Sequence, residues 1–178
     1  TYLLVDMSTL GIDVRPLRQI TGDAHFNEVF LTDVRVPVAN VVGEINKGWG
    51  PILTTLANER SAIGGGGSNP FDDLTRLVRE SGKAEVEVVR QGMAAAYTRL
   101  QLIRYLGFRV QTAMSQGRMP GAEASVLKLA YSQHLAITGD LALELEGPDG
   151  MLNGADAPRR GFWQSQFLGQ WAARLGGG

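Results

Sequence analysis

Glu59 stands where a carboxylate usually would not. Residues Pro51 to Gly64 read as one helix with an apolar stripe of Ile52, Leu56 and Ile63, and helical spacing sets Glu59 on that stripe. A carboxylate on the buried face of a helix loses its water, which raises its pKa and makes it a better proton acceptor near neutral pH. Glu59 is therefore the candidate general base for a proton abstraction. A partly buried glutamate tied to a neighbouring arginine would show the same spacing, and spacing alone leaves both readings open. Arg60 lies roughly 100° further round the helix and does not share that face.

Other chemistries have few residues to work with. The chain contains no cysteine, so it has no disulfide framework, no thiolate nucleophile and no cysteine metal site, which fits a reducing cytoplasm. Its two histidines, His25 and His134, are far apart in sequence, and no metal site is expected. No P-loop, dinucleotide fingerprint or nucleophile elbow is present. With 17 basic and 18 acidic residues that do not segregate into blocks, the net charge of -1 argues against nucleic acid or an anionic membrane as main partner. No apolar run reaches the roughly 18 residues of a membrane span.

The elements that must position Glu59 change character along the chain. Residues 1–43 are strand-rich: Tyr2 to Asp6, Ile12 to Leu17 and Phe26 to Leu31 are short runs broken by turn residues, and Val34 to Pro37 adds an alternating stub. They are too few and short to close a sheet, so they are expected to pair with further strands upstream. The opening at Thr1 without methionine and the close on Arg174-LGGG read as a fragment. Beyond Gly48 the period becomes helical. After the Glu59 helix, Gly64 to Asn69 reads as a flexible link, and Pro70 opens a short helix from Phe71 to about Glu80 with Asp72 and Asp73 in its first turn. Residues 84–116 form the longest element, with Val86, Val89, Met93, Ala96, Leu100, Ile103, Val110 and Met114 as its seam. Gly92 and Gly107 each cost it about 1 kcal/mol, which is tolerable where helices cross closely. Pro120 starts a further helix with Val126, Leu129, Ala130, Ile137 and Leu141 inward, ended by Gly147 to Gly150. Phe162, Trp163, Phe167, Leu168 and Trp171 mark a last amphipathic helix, as core or subunit interface. The expected fold is mainly α with a β-segment: a partial β-domain at 1–43, then an up-and-down four-helix bundle over 44–178.

This order of pieces resembles the acyl-CoA dehydrogenase family. The resemblance rests on Gly22-DAHFNEVFLTDVRVP, Asn40-VVGEINKGWG, Leu56-Ala57-Asn58-Glu59-Arg60 and the closing glycines, and covers nearly the whole chain. It implies an FAD enzyme that forms an α,β double bond in an acyl-CoA thioester, passing electrons to an electron-transferring flavoprotein. In one branch of the family the base lies in the first helix of the C-terminal domain, in an L-x-x-E-R pattern, which Glu59 matches; the resemblance gives Arg60 a role in shaping the site beside it. In the other branch the base precedes a late Gly-Thr, a position occupied here by Gly177. Gly177 and Gly178 are thus expected to line the substrate site without supplying a base.

Departures accompany the match. The family's flavin-contacting Arg-x-x-Phe-Gly stretch has no counterpart, since Glu80-SGKAEVEVVRQ occupies that region, and the Gln-x-x-Gly-Gly turn becomes Glu144-LEGPDG. No flavin-contacting residue is assigned. Such changes resemble actinobacterial-type members that work as mixed assemblies, so a homo- or hetero-oligomer is expected. The alternative to an active enzyme is a catalytically silent subunit that completes a partner's flavin site.

Overall fold

The computed structural model describes residues 1–63, 71–118 and 121–176, with the backbone alone for 60–63. The expected link at Gly64 to Asn69 and the positions Pro70, Pro120, Gly177 and Gly178 lie outside these residues. The chain divides into two compact units, Thr1–Asn58 and Glu59–Gly178.

The first unit carries four short strands in two antiparallel ladders. Strands β2 (Ile12–Leu17) and β3 (Phe26–Leu31) form a hairpin with Ile12 opposite Leu31 and Leu17 opposite Phe26. Alternation along the strands sets Ile12, Val14 and Pro16 on one face with Val29 and Leu31, and Val14, Val29 and Leu31 are exposed there. Strands β1 (Tyr2–Leu3) and β4 (Val41–Val42) make the second ladder. The Asn40 amide extends it by donating to the Leu4 carbonyl at 3.0 Å. The expected stub at Val34 to Pro37 is not a strand. Pro37 has no N–H to give a ladder, and the chain passes through a 3₁₀ turn at Val38–Asn40 before pairing at β4. Among the described residues the strands pair with one another.

Helix α1 runs from Trp49 to Ile63. Gly48 precedes it because a Cβ there would stand 2.7 Å from the Thr1 carbonyl carbon and 2.8 Å from the Tyr2 nitrogen. The hydroxyls of Thr54 and Thr55 and the amide of Asn58 bond back to the carbonyls of Gly50, Pro51 and Thr54.

The second unit is an up-and-down bundle of α2 (Phe71–Glu80), α3 (Glu87–Ser115), α4 (Ala122–Glu146) and α5 (Phe162–Leu175). Helix α4 packs on the other three. Its buried residues Ser132, His134, Ala136, Thr138, Gly139, Leu141, Ala142 and Leu145 go round the helix instead of forming one stripe, which is the signature of a central element. The core joins Leu74, Leu77 and Val78 of α2 to Val89 and Ala96 of α3, Leu141 and Leu145 of α4, and Trp163 of α5, which is 0% exposed. Small residues let the helices approach: a Cβ on Gly92 would meet the Leu141 side chain at 3.1 Å, and one on Gly139 the Phe167 Cα at 3.4 Å. Gly107 faces open space.

Left-handed residues shape two of the connections. At the α3 terminus Gly117 is left-handed (φ +69°), its N–H donates to Met114 O at 2.9 Å and the Arg118 N–H donates to Ala113 O at 3.0 Å, the paired bonds that close a helix end. Before α5, Arg159, Arg160 and Gly161 are all left-handed, and Arg159 reaches back to Asp73 of α2 at 3.3 Å.

Candidate active site

Glu59 is on α1 at the first position of the second unit, and it is exposed. This corrects the expected burial. Ile52 and Leu56 of the stripe are only half-buried and Leu53 is exposed, so among the described residues no side chain of α1 is buried. The helical spacing is as expected, but what must cover it is not supplied by the described residues. Arg60 continues the same helix; its side chain, like Gly177 and Gly178, lies outside the described residues, so the structure neither gathers nor separates these four positions.

Two titratable groups that sequence reasoning did not single out are set apart by their surroundings. His134, 1% exposed inside the bundle, has neither ring nitrogen hydrogen-bonded among the described residues, and burial followed by the nearby Arg99 charge holds its pKa below the usual imidazole value. Glu146, in the turn that departs from the family pattern, has one buried carboxylate oxygen with no hydrogen-bond partner among the described residues. Burial pushes its pKa up and outweighs the lowering by Arg159, with Asp149 adding to the rise. The sequence signal for Glu146 was the departure itself, whereas His134 gave none. No group of three or more acidic, histidine or cysteine side chains among the described residues could hold a metal ion.

A unit of short β-ladders, a helix carrying L-x-x-E-R and a helical bundle, in that chain order, define a class. The profile described as acyl-CoA dehydrogenase, C-terminal domain, matches residues 46–172, and the chain belongs to the acyl-CoA dehydrogenase family. It is similar to the acyl-CoA dehydrogenase FadE34 of Mycobacterium tuberculosis, 39% identical over 85% of this chain and 21% of that protein. It is also similar to the acyl-CoA dehydrogenase IpdE1 of Mycolicibacterium smegmatis, 30% identical over 100% of this chain and 45% of that protein. Among solved structures, the Tcur3481-Tcur3483 steroid ACAD superposes with a TM-score of 0.85 at 26% identity, covering 99% of this chain and 47% of that one. The ChsE4-ChsE5 complex from Mycobacterium tuberculosis does so at 0.75 and 26%, with the same coverage. The chain thus spans less than half the length of these relatives.

Proposed function

We propose that the protein containing this chain is an FAD-dependent acyl-CoA dehydrogenase whose α-proton base is Glu59. The observation that carries the reading is Leu56 to Arg60, an L-x-x-E-R run on a continuous helix in a chain of this family. The flavin, when bound, supplies the acceptor for the β-hydrogen as hydride, and an electron-transferring flavoprotein reoxidises it. Glu59 takes the α-proton onto its carboxylate. This needs a dry pocket, because a thioester α-proton is a weak acid; substrate, flavin or a second subunit would have to seal α1. Arg60, Gly177 and Gly178 are assigned to the substrate site, 1–43 to the middle β-domain, 44–178 to the helical domain, and the enzyme to the cytoplasm. No described helix is long and apolar enough to cross a membrane.

The turn at the end of α4, where the family pattern changes, is poorly suited to hold an anionic cofactor group. Glu144, Glu146 and Asp149 are three acidic side chains over six positions, and the buried Glu146 oxygen offers no donor to an anion. This favours a second reading, a subunit that binds no flavin through this turn and serves a partner subunit's site. The names of the two complexes with similar folds, each pairing two chains, support an assembly of dehydrogenase subunits.

Glu59→Gln separates the readings. In the full-length protein, with any partner subunit present, flavin reduction by an acyl-CoA is expected to fall at least about a thousandfold while the flavin stays bound, since loss of a general base costs roughly 10² to 10⁴. Wild-type reduction in the Gln variant would make Glu59 structural and move the base to the partner.

A further inference from the structure

We propose that Asn153 is a covalent modification site: its side-chain amide is lost to attack by the Gly154 nitrogen, and the isoaspartyl product loosens the start of α5. The two residues lie on the stretch that joins the turn after α4 to the turn before α5, and every residue from Met151 to Asp156 is exposed. The Gly154 N–H donates to Asn153 Oδ1 at 2.8 Å, which draws the Asn153 side chain back over its own peptide and brings Cγ within reach of that nitrogen. Gly154 is left-handed (φ +85°), and a Cβ there would meet nothing within 4 Å, so the backbone has room to swing into a ring. Asn153 Nδ2, the leaving nitrogen, makes no hydrogen bond among the described residues.

The reaction needs only water. The Gly154 nitrogen forms a bond to Asn153 Cγ while the Cγ–Nδ2 bond breaks, and Nδ2 leaves as ammonia with the proton that the peptide nitrogen gives up. The five-membered imide then takes up one water at either carbonyl. Opening on one side gives aspartate; opening on the other gives isoaspartate, whose main chain runs through Cβ and Cγ and is one methylene longer. Nothing is oxidised or reduced. The other asparagines are held back from this step. Asn27 lies in β3 and Asn58 in α1, where regular structure fixes the following peptide. The N–H groups that follow Asn40 and Asn46 are bonded to the carbonyls of Val38 and Glu44, and Asn69 precedes a proline, which has no N–H.

What lies against Asn153 gives the inserted methylene its effect. A Cβ on Gly161 would stand 2.8 Å from Asn153 Oδ1 and 3.3 Å from Asn153 Cα, so Asn153 is packed on the last residue of the left-handed run before α5. Arg159 and Arg160 hold that conformation at φ +48° and +58°, which residues with a Cβ adopt only where their neighbours impose it. Among the described residues, Asp73 pairs with Arg159, the Ala157 carbonyl accepts the Arg160 N–H at 2.9 Å, and Asn153 closes on Gly161. The same stretch fastens the first turn of α5, where Gln164 Nε2 donates to the Met151 carbonyl at 3.0 Å. A longer backbone at 153 moves the side chain off Gly161 and frees the two arginines to leave the left-handed region. None of these residues has a part in the Glu59 chemistry, so the assignment stands or falls independently of it.

Ageing the full-length protein in warm, mildly alkaline buffer tests both the reaction and its effect. Peptide mapping is expected to find the amide-to-acid mass gain in the tryptic peptide 129–159 before it appears at any other asparagine, and an isoaspartyl methyltransferase should methylate that peptide. Asp149 also precedes a glycine, but its isomerisation leaves the mass unchanged. Trypsin cleavage of the native protein after Arg159 and Arg160 should be at least about threefold faster once aged, because local opening of the turn exposes those bonds. Asn153→Gln, aged alike, and Asn153→Asp, freshly made, should keep the unaged rate. Conversion of another asparagine first, a product at 153 that is aspartate alone, cleavage unchanged by conversion, or fresh Asn153→Asp cleaved like the aged protein would each overturn the proposal.

Discussion

His134 shows what one side chain costs when it is enclosed by helices. Its folded-state pKa lies below the ordinary 6.5, so just below that pH the unfolded chain binds more protons than the folded one. The sign follows: stability is full above about pH 6.5 and declines as the pH falls towards the depressed value. Urea unfolding at about pH 7.5 and about pH 5.5 should show wild type losing more stability over that interval than His134→Leu. Equal losses would mean that the imidazole charges freely in the bundle. Neither His134 nor the exposure of Glu59 was legible in the sequence, for one physical reason. Spacing fixes the face of a helix on which a residue lies, while burial depends on what packs there, and among the described residues α4 is covered on several sides whereas the Glu59 position of α1 is exposed. That Leu56 to Arg60 lie on one helix was legible, being a local pattern.

At the scale of elements, boundaries followed local chemistry closely. Helix α2 and strands β2 and β3 have the bounds expected from their runs, and α3 spans Glu87–Ser115 where the apolar seam predicts 84–116. The seams were legible in their middles and failed at their ends: Val86, Met114, Val126 and Leu129 are exposed, because an apolar period continues past the point where a partner helix lies alongside. The aromatic stripe of α5 divides similarly. Trp163 is core, while Trp171 is 51% exposed beneath the Arg174 guanidinium at 4.7 Å. The two α3 glycines, alike in sequence, differ in what surrounds them. Gly107→Ala should stabilise by about 0.5–1 kcal/mol through helix propensity, since nothing lies within 4 Å of the new Cβ. Gly92→Val should destabilise by about 1–3 kcal/mol by pressing on Leu141. Thermal unfolding of the two variants checks both, and a stabilised Gly92→Val would deny the close α3–α4 crossing.

Across the whole molecule, apolar surface remains uncovered on several elements, including Val14, Val29 and Leu31 of the hairpin, Met114 and Leu129 near the α3–α4 tip, and Trp171. Such surface suits association between subunits. Light scattering of the full-length protein at about 10 μM is expected to report a dimer or larger, and a monomer would contradict it. The central position of α4 has a further consequence, which concerns time. Its amides lie behind α2, α3 and α5, so their hydrogens should pass to solvent deuterium only when the bundle opens as a unit, while those of β1 and β4, in a two-stranded ladder, escape through local fluctuation. Exchange followed by mass spectrometry should find residues 132–145 the slowest in the chain, and an α4 that labels as early as β1 would mean that the bundle opens helix by helix.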